Sequence, residues 1–315
     1  MRICSFLPGT TEILYELGLG DSVTGVTHEC DYPPAAREKT RVIMSFIDPE
    51  KLSSREIDEV VSRNAAEGKS TYLIDRDALK EASPDLILTQ GLCEVCAVSG
   101  DEVSDAASVL GRMPEIISLE PSTLGEILDS ITIIGEATGT AEAAAEITGK
   151  LRHRIDKVRD HFEAMRDRPR VFCLEWLDPP YAAGHWVPEM VEIAGGLNGL
   201  GKPGEPSFKV SWKDIVDFSP HMTMIMPCGF SAEKTLDRID TIMKNDEWFS
   251  LPSTTNGLAY VFDANSYFSR PGPRVVDGLE ILANTINPGV MKGYEAPAGS
   301  VVNLKNYMRF EQFLG

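Results

Sequence analysis

Thr140–Met165 reads TAEAAAEITGKLRHRIDKVRDHFEAM. Ile147, Leu151, Ile155, Val158 and Phe162 recur every three or four positions, the period of one apolar helix face. Ala, Glu, Lys and Arg fill most of the remainder, unlike a flexible Gly/Ser linker. The stretch predicts one stiff helix of roughly 40 Å at 1.5 Å per residue. Strand-like and helix-like runs alternate on both sides of it. Upstream stand RICSF, PGTTEILYELGLG, DSVTGVT, SSREIDEVVSRNAAE, STYLI, DALKEASPDLILTQ, SDAASVLGRM, EIISL and STLGEILDSITIIGEATG. Downstream stand RVFCLEW, VPEMVEIAGG, HMTMIM, SAEKTLDRIDTIM, LAYVFD and GPRVVDGLEILANTI. The expectation is an α/β protein: two Rossmann-like lobes joined by one long rigid helix, with a ligand cleft between them. The boundaries are 1–139 for the first lobe, 140–168 for the connector and 169–290 for the second lobe. Residues 291–315 form a tail that packs on the body or stays mobile.

Composition narrows the functions. Asp and Glu outnumber Lys and Arg by 48 to 30, a formal charge of −18. Such a surface repels nucleic acid and anionic membranes, so neither is an expected partner. No apolar run approaches the ~18 residues of a membrane span, which argues against insertion. Met1-Arg2 leads straight into ICSFLP without a signal-peptide h-region. That predicts a cytoplasmic protein, or a periplasmic or cell-surface one if a leader precedes Met1. In the cytosol thiols stay reduced, and a CxxC points to metal or redox chemistry.

Four of the six cysteines follow strand-like runs: Cys30 in THECDYPP, Cys93 and Cys96 in GLCEVCAVS, and Cys228 in MPCGFS. Loops leaving the carboxyl ends of parallel strands line the ligand crevice of an open sheet. The thiols are therefore expected to converge there. One CxxC supplies two ligands of a tetrahedral site, so further ligands have to come from Cys30, Cys228, His28 or His185. His28 and Cys30, two apart, point the same way if their loop is extended. Cys228 precedes a Ser-capped helix start, which favours a thiolate; burial as a small hydrophobe is the alternative. His185 and Glu189 sit beside a helix start in GHWVPEMVE, as a ligand or acid/base group or as ordinary polar residues. GxxxxGK[ST], HExxH and GxSxG are absent, as is GxGxxG after the first strand.

In order and spacing, six segments carry a likeness. They are the first strand with its PGTTE turn, GVTHECDYPP, LKEASPDLIL, LDPPYAAG with the following AGG, SWKDIVDFSP, and SYFSRPGPRVVDGLEIL. Together they resemble the cobalamin- and siderophore-type substrate-binding proteins of ABC transporters, nearest the vitamin B12-binding branch. The resemblance covers roughly residues 2–290; Lys51–Ile74 has no counterpart in that branch. It implies a binding protein rather than an enzyme, with a corrinoid or other metal chelate between the lobes. A transporter permease is its partner if the protein is exported. It also implies Tyr32, Phe46, Trp212, Tyr267, Phe268 and Arg270 as pocket residues, with Trp186 adding to the wall. Aromatic side chains suit a broad, flat, apolar ring, and an arginine forks onto a carboxylate, amide or phosphate at its rim. The thiol and histidine set is foreign to that branch's pocket. It leaves an alternative on the same fold: an enzyme or metal-site protein using Cys30, Cys93, Cys96 and Cys228, with zinc, an iron–sulfur cluster or thiol chemistry.

Overall fold

The computed structural model of the chain describes residues 1–67, 69–90, 100–108, 110–163, 165–289, 291 and 293–307. The chain divides into two units. Unit 1 comprises Met1–Pro121, Gly125–Lys150 and Pro271–Pro273; unit 2 comprises Ser122–Leu124, Leu151–Arg270 and Arg274–Gly315.

Unit 1 is built on six strands: β1 (Ile3–Ser5), β2 (Val23–Thr27), β3 (Arg41–Ser45), β4 (Tyr72–Ile74), β5 (Leu86–Thr89) and β6 (Glu115–Ser118). Their order across the sheet is β4-β3-β2-β1-β5-β6. All pairs are parallel except β3 with β4, where Met44 faces Leu73 and Ser45 faces Tyr72. The central strands β1 and β5 are buried on both faces and consist of apolar and small residues, as parallel sheets require. Cys4, Val42, Ile87, Leu79, Ala82, Val103 and Ala106 form a core cluster there. Gly25 lets the strands and a helix close up: a Cβ on it would lie 2.6 Å from Val42 Cγ2 and 2.7 Å from Cys4 Sγ. The segment 51–74 forms the helix Ser54–Ala66 and the edge strand β4. Ser53 and Glu56 start that helix with a reciprocal capping box.

Unit 2 holds β7 (Arg170–Leu177), β8 (Pro180–Ala182), β9 (Leu197–Asn198), β10 (Phe208–Lys209), β11 (Met222–Ile225), β12 (Ala259–Phe262) and β13 (Val301–Asn303). The sheet order is β10-β8-β7-β11-β12-β13, with β9 also paired to β7. The parallel centre β7-β11-β12 packs Phe172, Leu174, Ile225, Val261 and Trp248 into the main core. Mixed sheets replace the purely parallel ones that strand/helix alternation suggests. LDPPYAAG is a tight β7–β8 hairpin, and β10 and β13 add antiparallel edges. Strands of two or three residues are too short to leave a periodicity of their own. The tail packs on the body through β13, which pairs with β12.

The connector is the helix Ala141–Phe162, 22 residues or about 33 Å. Leu151, Ile155, Val158 and Phe162 are buried as the period predicts, and Ile147 is half-buried. It follows the helix Leu124–Thr138 after a turn at Gly139, whose φ is 73°. The division between the units falls within the connector, at Lys150–Leu151. SAEKTLDRIDTIM is not one helix but two short ones, Ala232–Leu236 and Asp240–Met243. Three-residue turns such as Ile242 N–H to Ile239 O, 3.1 Å, bring Ile239 and Ile242 together into the core.

Candidate functional site

In unit 1 the loop after β2 is a tight turn, not the extended segment expected. Cys30 N–H donates to Thr27 O at 3.2 Å, and Glu29 N–H to Thr27 Oγ1 at 3.1 Å. The Arg41 guanidinium donates to the carbonyls of Thr27 and Cys30. This curl separates the two residues that an extended loop would align. His28 is exposed, whereas Cys30 is fully buried with Sγ 3.0 Å from Thr11 Oγ1 and 3.4 Å from Thr27 Oγ1. Thr11 in turn donates to Ser5 Oγ at 2.8 Å, and Ser5 meets Thr10 at 2.6 Å. The PGTTE turn thus builds a buried hydroxyl network under the β2 loop. Tyr32 and Phe46 are 43% and 59% exposed on the same unit.

Unit 2 gathers most of the other residues singled out by the sequence. Trp186 is buried, and its Nε1–H donates to Phe268 O at 2.9 Å. Phe268 is buried edge-on against Phe262 at 5.4 Å. His185 lies 5.8 Å from the Trp186 ring. Burial holds its imidazole below the ordinary histidine range. Its φ of 53° and its main-chain bonds with Gly204 and Glu205 fix it in the bend before the helix Val187–Ile193. Arg270 is buried, donating to Asn265 Oδ1 at 2.9 Å. Tyr267 is half-buried with the Arg274 guanidinium 5.8 Å from its ring. Trp212 opens the helix Trp212–Phe218 and packs edge-on against Trp248 at 6.4 Å. Glu189 Oε2 accepts the Leu124 N–H at 2.9 Å. Cys228 is exposed, its N–H bonded to Glu175 O at 3.0 Å.

A row of rings emerges that the sequence does not single out as a unit. Trp176 and Tyr181 are cross-strand partners on β7 and β8. Trp176 meets Phe230 edge-on at 5.3 Å. Cations bracket the row: Lys209 Nζ is 5.7 Å from the Tyr181 ring, Lys234 Nζ is 4.8 Å from Phe230, and Arg238 Cζ is 5.4 Å from Phe230. Phe230 is invisible in sequence because its place follows from the turn after β11, where Phe230 N–H bonds Pro227 O at 3.0 Å. Lys234 and Arg238 are four apart, the one signal that pairs them in advance.

Cys93 and Cys96 lie outside the described residues. Among the described residues no three His, Cys, Asp or Glu side chains group as a metal site. No described helix is long and apolar enough to cross a membrane.

Two α/β units with mixed sheets, carrying rings at their strand ends, define the class: a two-lobed solute-binding fold. The chain belongs to the periplasmic binding protein family, whose model matches residues 3–265. It is 24% identical over 298 residues to an uncharacterized ABC transporter substrate-binding lipoprotein, YvrC, of Bacillus subtilis, covering 92% of this chain and 81% of that protein. The crystal structure of the periplasmic vitamin B12 binding protein BtuF of Vibrio cholerae aligns with a TM-score of 0.66 at 22% identity, over 92% of this chain and 98% of that one. The periplasmic heme-binding protein RhuT of Roseiflexus aligns with a TM-score of 0.68 at 18% identity, over 92% and 99%.

Proposed function

We propose that the chain is the substrate receptor of an ABC transporter and that its substrate is a corrinoid. The observation that carries this reading is the pair of half-buried rings Tyr181 and Trp176, backed by the buried Phe230, with Lys209 at one end and Lys234 and Arg238 at the other. Rings give a flat, apolar ligand a large contact area at little entropic cost. The cations suit the phosphate and amide groups at a corrinoid's edge. The family and the named relatives support the role. In this reading its partner is a membrane permease and its work lies outside the cytoplasmic membrane. Heme is the second reading, supported by the same row and by the likeness to RhuT, because a porphyrin is also flat with carboxylates at one edge. The thiol-based enzyme is not part of this reading, since Cys30 is committed to the interior of unit 1.

Titration with hydroxocobalamin and with hemin, followed by absorbance and calorimetry, tests it. Tight corrinoid binding that weakens about tenfold or more in Trp176→Ala supports the proposal. Hemin binding alone moves the assignment to the second reading. Failure of both ligands to bind better than weakly micromolar removes both.

A further inference from the structure

Unit 1 holds a cavity of about 490 Å³, lined among others by Tyr15, Gly20, Asp21, Glu38 and Lys39. Its size falls within the ~300–1,000 Å³ usual for small-molecule sites. Asp21 stands just before β2 and Lys39 just before β3, whereas the Cys30 turn follows the other end of β2. The cavity therefore lies at the amino ends of these parallel strands, opposite the end where an α/β sheet forms its usual crevice. A Cβ on Gly20 would lie 2.6 Å from Tyr15 Cε1, so the tyrosine ring rests on bare backbone. The Tyr15 hydroxyl is shut off from solvent and has no hydrogen-bond partner among the described residues. A buried hydroxyl left unmet costs free energy and calls for a partner. Burial, and after it the carboxylates of Asp21 and Glu38, hold this phenol above the ordinary tyrosine range, so it keeps its proton.

Opposite charges line this cavity without pairing. Asp21 and Glu38 are exposed and Lys39 is half-buried. Among the described residues, none of the three side chains forms an ion pair or a hydrogen bond. Elsewhere Lys51, Lys69, Lys150, Lys202 and Lys213 each hold a carboxylate, so an uncommitted lysine beside two uncommitted carboxylates stands out. Two carboxylates and one ammonium, held apart around one space, match a molecule that brings the complementary charges itself. We propose that the cavity is a second binding site, for a basic amino acid. The cationic groups of the ligand meet Asp21 and Glu38, and its carboxylate meets Lys39. The Tyr15 hydroxyl accepts from one of the cationic groups, and the aliphatic stem crosses the Tyr15 ring. Bonds between charged partners are about twice as strong as neutral ones, which sets the preference for a ligand with all three charges. The site lies wholly within unit 1 and does not depend on the corrinoid reading.

Calorimetry on the full chain compares L-lysine with L-norleucine, which lacks the side-chain ammonium, and with cadaverine, which lacks the carboxylate. L-Lysine is expected to bind about tenfold or more tightly than either. Lys39→Ala should weaken L-lysine to the level of cadaverine and leave cadaverine as tight as before or tighter. Tyr15→Phe should leave the urea midpoint of the unliganded protein unchanged or raised, because the lost hydroxyl has no partner to abandon. The same variant should weaken L-lysine about fivefold or more. No binding of L-lysine at millimolar concentration, equal affinity for all three molecules, or an L-lysine affinity that survives both variants overturns the site. A Tyr15→Phe variant with a lowered midpoint and unchanged L-lysine affinity overturns it as well, since the hydroxyl would then serve the fold alone.

Discussion

Cys4 and Cys173 show how a side chain's surroundings decide its chemistry. Both lie in the central strands of their sheets with almost no exposure. Burial pushes the Cys4 thiol up to about 12 and drives Cys173 upward as well. Cys228, by contrast, is exposed at the end of β11. Alkylation with iodoacetamide at pH 8, read by peptide mapping, should modify Cys228 in the folded protein. Cys4 and Cys173 should react only after denaturant is added; their labelling in native protein would contradict this placement. His185 offers a second residue-scale case. Its folded-state value lies below its unfolded one because burial disfavours the charge. Below the unfolded value of about 6.5, the unfolded chain takes up a proton that the folded one resists. The stability is present above that pH and falls as pH drops through it. Urea midpoints at pH 7.5 and 5.5 should therefore drop more for wild type than for His185→Asn, a residue that tolerates the φ of 53°. Equal drops would contradict the assignment.

At the scale of elements, the connector helix is held to unit 2 by charge as well as by its apolar face. Arg154 Nε donates to Glu280 Oε1 at 3.0 Å and Nη2 to Glu280 Oε2 at 2.8 Å, with Asp277 Oδ1 at 2.5 Å from Nη2. Glu280 and Asp277 stand on the helix Val275–Ile286. The forked geometry makes this stronger than an ordinary surface pair. The Arg154 side chain is still 34% exposed, so solvent screens part of the gain. Arg154→Met should cost about 1–3 kcal/mol by urea unfolding. A double-mutant cycle with Glu280→Gln should show coupling, and additive losses would deny it. Burial and the same carboxylates also raise Tyr294 above the ordinary tyrosine range, which links the segment after Val275–Ile286 to this cluster. The period of Ile147, Leu151, Ile155, Val158 and Phe162 predicts the helix face in advance. The Arg154 fork is not legible, because its partners lie more than a hundred residues away.

For the whole molecule, the formal charge of −18 falls mostly on unit 1, which carries −15 of it against −3 on unit 2. Like charges packed on a folded surface repel, and salt screens them over about 10 Å at 0.1 M. Raising sodium chloride from about 10 to 300 mM should therefore raise the urea midpoint. A fall would mean that ion pairs such as Arg154–Glu280 outweigh the repulsion.

The alternation of short apolar runs with amphipathic ones, and the long helix between two such series, determine the α/β class and the existence of two units. Each of those signals is local, since burial on one face repeats with the period of the element itself. The ring row, the inward-turned Cys30, the outward His28 and the antiparallel edge strands are decisions of the tertiary structure. Each depends on which distant backbone atom accepts a bond. A one-residue curl at Thr27–Cys30 is enough to send a thiol into the core and an imidazole into solvent.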